Sequence, residues 1–303
     1  MTLPSSVSIV EVGPRDGLQG EARHVATADK IALINRLSAC GLRRLEVSSF
    51  VSAKAIPQLA DAAEVLAGIE RAPGARYSVL VANERGYESA AAAGADEVAV
   101  FLSASEAHNQ LNVGKSIADT LAKLRPVARR AAADGVPVRG YVSTVFGCSL
   151  AGKVEAARVE RICGELADMG VGEISLGDTI GVAHPPQVQA MIEGLRARLG
   201  DLPLALHLHD TLGRGLANVW AGLQAGIRVF DSSVGGLGGC PNTPGGAGNI
   251  ATEDLVSLLR AMGIACGVEE EAIRAVARFA ASLVDHPLAS HCAYAGGTAE
   301  ERA

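Results

Sequence analysis

The sequence predicts a (β/α)8 TIM barrel with an additional C-terminal helix, and three observations carry that prediction. Five times a helical pattern ends in a small residue and glycine, and a strand follows at once: Ala39-Cys40-Gly41, Ala93-Gly94, Asp134-Gly135, Met169-Gly170 and Ala225-Gly226. Glycine just beyond a helix adopts the left-handed conformation without steric cost, so each copy is a helix stop feeding a strand, the mark of βα units. The strand-like runs number eight. The composition is 49% hydrophobic but only 3% aromatic, so the core is built from Ala, Val, Leu and Ile, which suits a sheet wrapped in helices.

In order, the expected strands are Val7–Val12, Arg44–Ser48, Tyr77–Val81, Glu97–Leu102, Val138–Ser143, Glu173–Leu176, Leu204–His209 and Val229–Ser233. Between them run segments with helical apolar spacing, such as Ile31, Leu33, Ile34 and Leu37. Eight such units argue for a barrel over about 7–264, with Val268 to Asp285 as the extra helix and Gly296 to Ala303 as a loose tail. A doubly wound sheet is the alternative fold. No linker or low-complexity stretch divides the chain, so 1–303 reads as a single domain.

A formal net charge of −6 over 303 residues argues against a nucleic-acid partner. The basic pairs Arg43-Arg44 and Arg129-Arg130 are isolated and expected on solvated faces. No segment has the length of a transmembrane helix and the start of the chain has no signal-peptide pattern, so a soluble cytoplasmic protein without a membrane partner is expected. Six scattered cysteines without a C-x-x-C pair suit a reducing compartment.

The stretch Leu204 to Asp210 places His207 and His209 two residues apart in an apolar strand, where both project to one face, as a metal site often requires. In a barrel the active site lies where strands end. The first strand ends in Gly13-Pro14-Arg15-Asp16-Gly17-Leu18-Gln19. Asp16 would meet both histidines at the same mouth and could join them on a divalent ion, with Arg15 as a fixed cation beside it; alternatively, Arg15 and Asp16 form a structural ion pair. The eighth strand leads into a glycine-rich loop, Gly235 to Asn249, holding the thiol of Cys240. Its glycines do not match a P-loop and it contains no lysine, so a lid carrying a reactive cysteine fits better. Asn249 could supply an oxygen ligand or cap the following helix. Cys40 and Cys163 lie in helical patterns as core residues.

Several stretches together resemble the 3-hydroxy-3-methylglutaryl-CoA lyase family. They are Gly13 to Gln19, Leu45-Glu46-Val47-Ser48-Ser49-Phe50, Gly140 to Ser143, Glu173 to Gly181 with Ser175, Asp178 and Thr179, His207 to Thr211, and Gly236 through Cys240 and Asn249 to Asp254. The resemblance implies a metal-dependent barrel related to isopropylmalate synthase. It implies Asp16, His207, His209 and Asn249 as ligands of Mg²⁺ or Mn²⁺, Arg15 facing the developing enolate, Cys240 in proton transfer and Glu46 positioning the Arg-metal cluster. Ser49, Ser175 and Thr179 fall where the family holds the substrate's acyl part, with Asp178 in support. An acyl-CoA partner and a homodimer are implied as well.

The chain departs from the family pattern at Asn242-Thr243-Pro244 after Cys240, at Gly20-Glu21-Ala22, at Ser149-Leu150-Ala151-Gly152, and at His108, where an aromatic is common. These departures border the substrate end and keep open a related substrate such as citramalyl-CoA or a longer 3-hydroxy-3-alkylglutaryl-CoA. A metallohydrolase is the distant alternative, disfavoured because its H-x-H lies on the first strand. Asp16 or Cys240 are the expected bases for the substrate hydroxyl. His24, His184, His286 and His291 are expected at the surface or as caps.

Overall fold

The computed structural model, which describes residues 3–238 and 248–294, closes eight parallel strands into a barrel in chain order. They are β1 (Ser8–Glu11), β2 (Arg44–Phe50), β3 (Arg76–Val81), β4 (Glu97–Ser103), β5 (Val138–Ser143), β6 (Glu173–Asp178), β7 (Leu204–Leu208) and β8 (Val229–Ser232). β8 closes on β1 with Ser8 beside Val229 and Glu11 beside Ser232. Closure leaves no sheet edge and rules out the doubly wound alternative. The expected strands are all present, but β7 stops one residue early: His209 lies beyond it and forms an isolated bridge with Asn249.

Helices α1 (Thr27–Ala39), α2 (Ala62–Gly68), α3 (Glu84–Ala92), α4 (Glu106–Val113), α5 (Ile117–Ala133), α6 (Ala156–Asp168), α7 (Pro185–Leu199), α8 (Gly215–Gln224) and α9 (Thr252–Ala261) surround the barrel. The further helix, α10 (Glu270–Ala281), is shorter than its expected span and packs on α1 and α9. α4 was not expected; it starts at Ser105, whose hydroxyl caps it by accepting the His108 amide. α1 buries Leu33, Ile34 and Leu37, as its spacing requires. All five glycines named as helix stops have positive φ. At Gly41 (φ +107°) even space is lacking, since a Cβ would lie 2.1 Å from the Gly267 carbonyl oxygen.

Arg44 corrects the expectation of a solvated pair. Arg43 and the Arg129-Arg130 pair are exposed, but Arg44 begins β2 at the barrel's N-terminal opening and is half-buried. It gives both terminal nitrogens to Glu173 at 2.9 Å. Burial holds the thiols of Cys40 and Cys163 up at about 12, consistent with inert core residues. Among the described residues no helix is long and apolar enough to cross a membrane.

Candidate active site

Beyond β1 the chain makes one wide helical turn, Gly13–Gly17, which delivers Arg15 and Asp16 to the C-terminal mouth. Glu11 anchors that turn. Its Oε1 accepts the amides of Gly13 (2.8 Å) and Val234 (2.9 Å), and its Oε2 accepts the Thr252 hydroxyl (2.6 Å). Complete burial pushes its carboxyl up to about 7 against these hydrogen bonds.

Arg15 is buried and forked between two carboxylates: Nε donates to Glu46 and Nη1 to Asp16 Oδ1 at 2.7 Å. The ion pair foreseen as an alternative therefore exists, and it forms part of the cluster. Gln19 also donates to Asp16 Oδ1, at 2.7 Å, which leaves Oδ2 facing the histidines. Burial raises the Asp16 carboxyl, but Arg15, His207 and His209 together bring it down to about 2. A carboxylate so easily ionised accepts protons poorly, which weakens Asp16 as the base for a hydroxyl.

His207 lies in β7 between Leu206 and Leu208, which face the core. Its Nε2 is 3.7 Å from Asp16 Oδ2, and its ring centroid is 5.3 Å from that of His209. One potential ligand atom from each of Asp16, His207 and His209 lies within 4.8 Å of the others, the one such group of three among the described residues. Burial, and then the charge of His207, lower His209 to about 4, so its imidazole is neutral and its lone pair is free. For His207, burial pulls down, but the bond to Asp231 and the charge of Asp16 outweigh it and the net shift is upward.

Asn249 settles one open alternative. The residue capping α9 is Ala251, with no side-chain bond, so Asn249 does not cap that helix. Its Nδ2 donates to Asp16 Oδ2 (2.9 Å) and to the Leu237 carbonyl (3.1 Å), while its buried Oδ1 has no hydrogen-bond partner among the described residues. A buried acceptor left unsatisfied is costly unless something occupies it. Two imidazole nitrogens, a carboxylate oxygen and an orphaned amide oxygen fit a divalent cation that tolerates mixed nitrogen and oxygen donors.

The remaining expected site residues are placed as follows. Glu46 is fully buried against Arg15; burial outweighs the nearby guanidiniums of Arg15 and Arg139 and raises its carboxyl. Ser49 Oγ is buried without a partner among the described residues. Thr179 accepts the Thr144 amide at 2.8 Å, and Thr144 sits at φ +60°, an uncommon conformation for a β-branched residue. Ser175 donates to Asp231 at 2.8 Å, deep in the barrel. Asp178 spends both oxygens on the amides of Val182 and Ala183, at 3.0 Å each, and burial pushes it up to about 6. It shapes the loop after β6. Cys240 and Asn242-Thr243-Pro244 lie outside the described residues.

His108 is buried with Nδ1 2.6 Å from the Ser103 hydroxyl. His24, His184, His286 and His291 are exposed, and His184 caps α7 by accepting the Gln187 amide. Four residues with marked environments were not anticipated: Glu11, Arg139, Tyr141 and Asp231. Arg139 reaches across the barrel to clasp Asp231 with both terminal nitrogens, at 2.6 and 3.1 Å. The guanidinium carbons of Arg139 and Arg15 lie 4.7 and 5.5 Å from the Tyr141 ring centre. The visible signal was a charged residue inside each of two otherwise apolar strands, Val138-Arg139 and Phe230-Asp231.

Comparison with known proteins adds a second line of evidence. The HMGL-like family model matches residues 6–280. The chain is 47% identical over 290 residues to a hydroxymethylglutaryl-CoA lyase of Bacillus subtilis, covering 96% of this chain and 97% of that one. It is 49% identical over 273 residues to a 3-hydroxy-3-isohexenylglutaryl-CoA/hydroxymethylglutaryl-CoA lyase of Pseudomonas aeruginosa, covering 90% and 91%. The crystal structure of a hydroxymethylglutaryl-CoA lyase from Pseudomonas aeruginosa superposes with a TM-score of 0.94 at 46% identity, covering 97% and 98%.

Proposed function

Because this chain belongs to the HMGL-like family, we propose that it is a carbon–carbon lyase that cleaves 3-hydroxy-3-methylglutaryl-CoA to acetyl-CoA and acetoacetate with the help of Mg²⁺ or Mn²⁺. The observation that carries this reading is the convergence of Asp16, His207 and His209 beside the buried cation Arg15, with the orphaned Asn249 Oδ1 next to them.

In the reaction the substrate's C3 hydroxyl gives its proton to Cys240 or Asp16, the C2–C3 bond breaks, and the electron pair passes into a thioester enolate that is then protonated at C2. Asp16, His207, His209 and Asn249 would hold the divalent ion, which when bound polarises the hydroxyl and orients the acyl part. Arg15, charged at any working pH and shielded from water, faces the enolate oxygen; such a contact contributes on the order of 3 kcal/mol to the transition state. Glu46 holds Arg15 through Nε and so fixes the direction of the guanidinium. Ser49 and Thr179 stand beside the acyl part. Cys240 supplies the proton to C2 as a thiol, a role that rests on the family resemblance.

The Pseudomonas aeruginosa relative named for two substrates, together with the departures at His108 and Ser149 to Gly152, supports a second reading in which a longer 3-alkyl group is accepted. The acyl-CoA partner, homodimeric assembly, cytoplasmic location and lack of nucleic-acid or membrane partners belong to the same proposal. The test is acetyl-CoA release from 3-hydroxy-3-methylglutaryl-CoA, from a 3-isohexenyl analogue and from citramalyl-CoA, each with metal and with chelator. Chelator-sensitive release from the first substrate supports the proposal, release from the longer analogue alone supports the second reading, and no release from any of them refutes both.

A further inference from the structure

Behind the metal group, four successive strands each direct one polar side chain toward a single point. Arg139 comes from β5, Ser175 from β6, His207 from β7 and Asp231 from β8, and Asp231 stands beside His207 in the β7–β8 register. Asp231 is wholly buried and so is Arg139, at 1% exposure. Arg139 grips Asp231 by both oxygens, Ser175 donates to Oδ2 at 2.8 Å, and His207 Nδ1 lies 3.3 Å from the same Oδ2. The Tyr141 ring stands edge-on to His207, with centroids 6.0 Å apart and planes 83° apart, which limits rotation of the imidazole.

We propose that Asp231, held by Arg139, is the positioning residue that keeps the His207 proton on Nδ1 and leaves Nε2 bare toward Asp16. The chemistry follows from donor and acceptor counting. Arg139 has only protons to offer and gives one to each oxygen of Asp231, so Asp231 stands as an anion and can only accept from His207. A neutral imidazole whose Nδ1 donates must carry its lone pair on Nε2, the atom facing Asp16. The chain extends behind Arg139, whose Nε donates to Glu173 at 2.6 Å, and Glu173 is held in turn by Arg44 at the barrel's other opening. The position of a metal ligand is thus tied to ion pairs running the length of the barrel. Outer partners of this kind typically set metal affinity by a factor of 10 to 100.

The Asp231→Asn variant reverses this logic without changing shape. Arg139 meets Oδ1 at 2.6 Å and Oδ2 at only 3.1 Å, and the Ser175 hydroxyl at Oδ2 can turn to accept, so the new amide keeps its oxygen at Oδ1 and turns its NH₂ toward His207. Nδ1 must then accept, and the proton moves to Nε2.

The experiment is a long-range ¹⁵N–¹H spectrum of the metal-free, full-length protein with labelled histidine, at a pH where the imidazoles are neutral. His207 is assigned among the seven histidines by its loss in His207→Gln. The expected result is a protonated Nδ1 in the parent, a protonated Nε2 in Asp231→Asn, and a Mn²⁺ dissociation constant raised about 10- to 100-fold in the variant. A parent protein with its proton on Nε2 overturns the proposal even if the variant does not fold. So does a folded variant with the parent's tautomer and affinity. The affinity arm rests on the metal reading proposed above, whereas the tautomer arm does not. A parent that shows the expected tautomer but binds no Mn²⁺ refutes the metal reading and supports this one.

Discussion

Replacing Arg15 by methionine keeps most of the side chain's length and removes its cation, and two separable effects follow. If Arg15 faces the enolate, losing it lowers kcat by roughly 10²- to 10³-fold with metal saturating. The second effect falls on Glu46, which is completely buried and takes its nearest positive charge from Arg15. Breaking a buried pair usually costs 3–5 kcal/mol, but the stranded carboxylate has an escape by taking up a proton. From its ordinary value of 4.5, protonation at pH 7 costs about 3 kcal/mol, at 1.36 kcal/mol per pH unit. This is a ceiling, because burial already holds Glu46 above 4.5 in the parent. A folded-state pKa raised above the unfolded one contributes stability that is complete below 4.5 and is lost as pH rises. At pH 5.5 the ceiling therefore falls to about 1.4 kcal/mol, and the variant's deficit relative to the parent shrinks on acidification. Urea unfolding at both pH values, alongside acetyl-CoA release, reads both effects. A kcat within threefold of the parent refutes the placement of Arg15 against the enolate, and a deficit that grows toward pH 5.5 refutes the account of Glu46.

Three further predictions rest on other parts of the molecule. Gly226→Ala, at φ +83° with nothing near its Cβ, costs about 1 kcal/mol, whereas Gly41→Ala must also displace the Gly267 carbonyl and costs roughly 3 kcal/mol or more; denaturant midpoints that fall by equal amounts would contradict this. Burial raises the Glu253 carboxyl to about 7 against hydrogen bonds from Ser290, from its own backbone and from the Gly235 amide at 3.1 Å. Its contribution, up to about 3 kcal/mol, is complete below 4.5 and lost as pH rises through 7, so Glu253→Gln should flatten the parent's decline in unfolding free energy between pH 5 and 7.5. Finally, protons compete with metal for the two imidazoles. With His207 shifted upward, Mn²⁺ affinity should weaken by up to about tenfold per unit of acidification below its titration, and an affinity that calorimetry finds unchanged at three pH values would contradict this.

The parts of the structure legible in the sequence are those whose cause is local. Each helix stop is written in one glycine, and positive φ at Gly41, Gly94, Gly135, Gly170 and Gly226 follows from that residue alone. The spacing of His207 and His209 places both at one end of β7 whatever the rest of the chain does. Asp231 and Arg139 were illegible for the opposite reason. They are 92 residues apart and meet only because the barrel closes, and each singly is one charged residue inside a strand, with nothing local to name its partner. Ser175 shows the same limit, since its hydroxyl is turned to Asp231, a partner no spacing rule could supply. The Asn249 alternative needed the backbone, because ligand and helix cap share the same position in the chain and differ only in which way the side chain turns.

The measurement that bears most directly on the central claim is a Mn²⁺ titration of chelator-stripped protein, following acetyl-CoA release from 3-hydroxy-3-methylglutaryl-CoA in the parent and in His209→Ala. The account predicts a silent stripped enzyme, activity that rises to a plateau at one equivalent of Mn²⁺, and a variant that needs at least tenfold more metal. Full turnover by the stripped enzyme, or a variant that titrates like the parent, would contradict a metal held by Asp16, His207, His209 and Asn249.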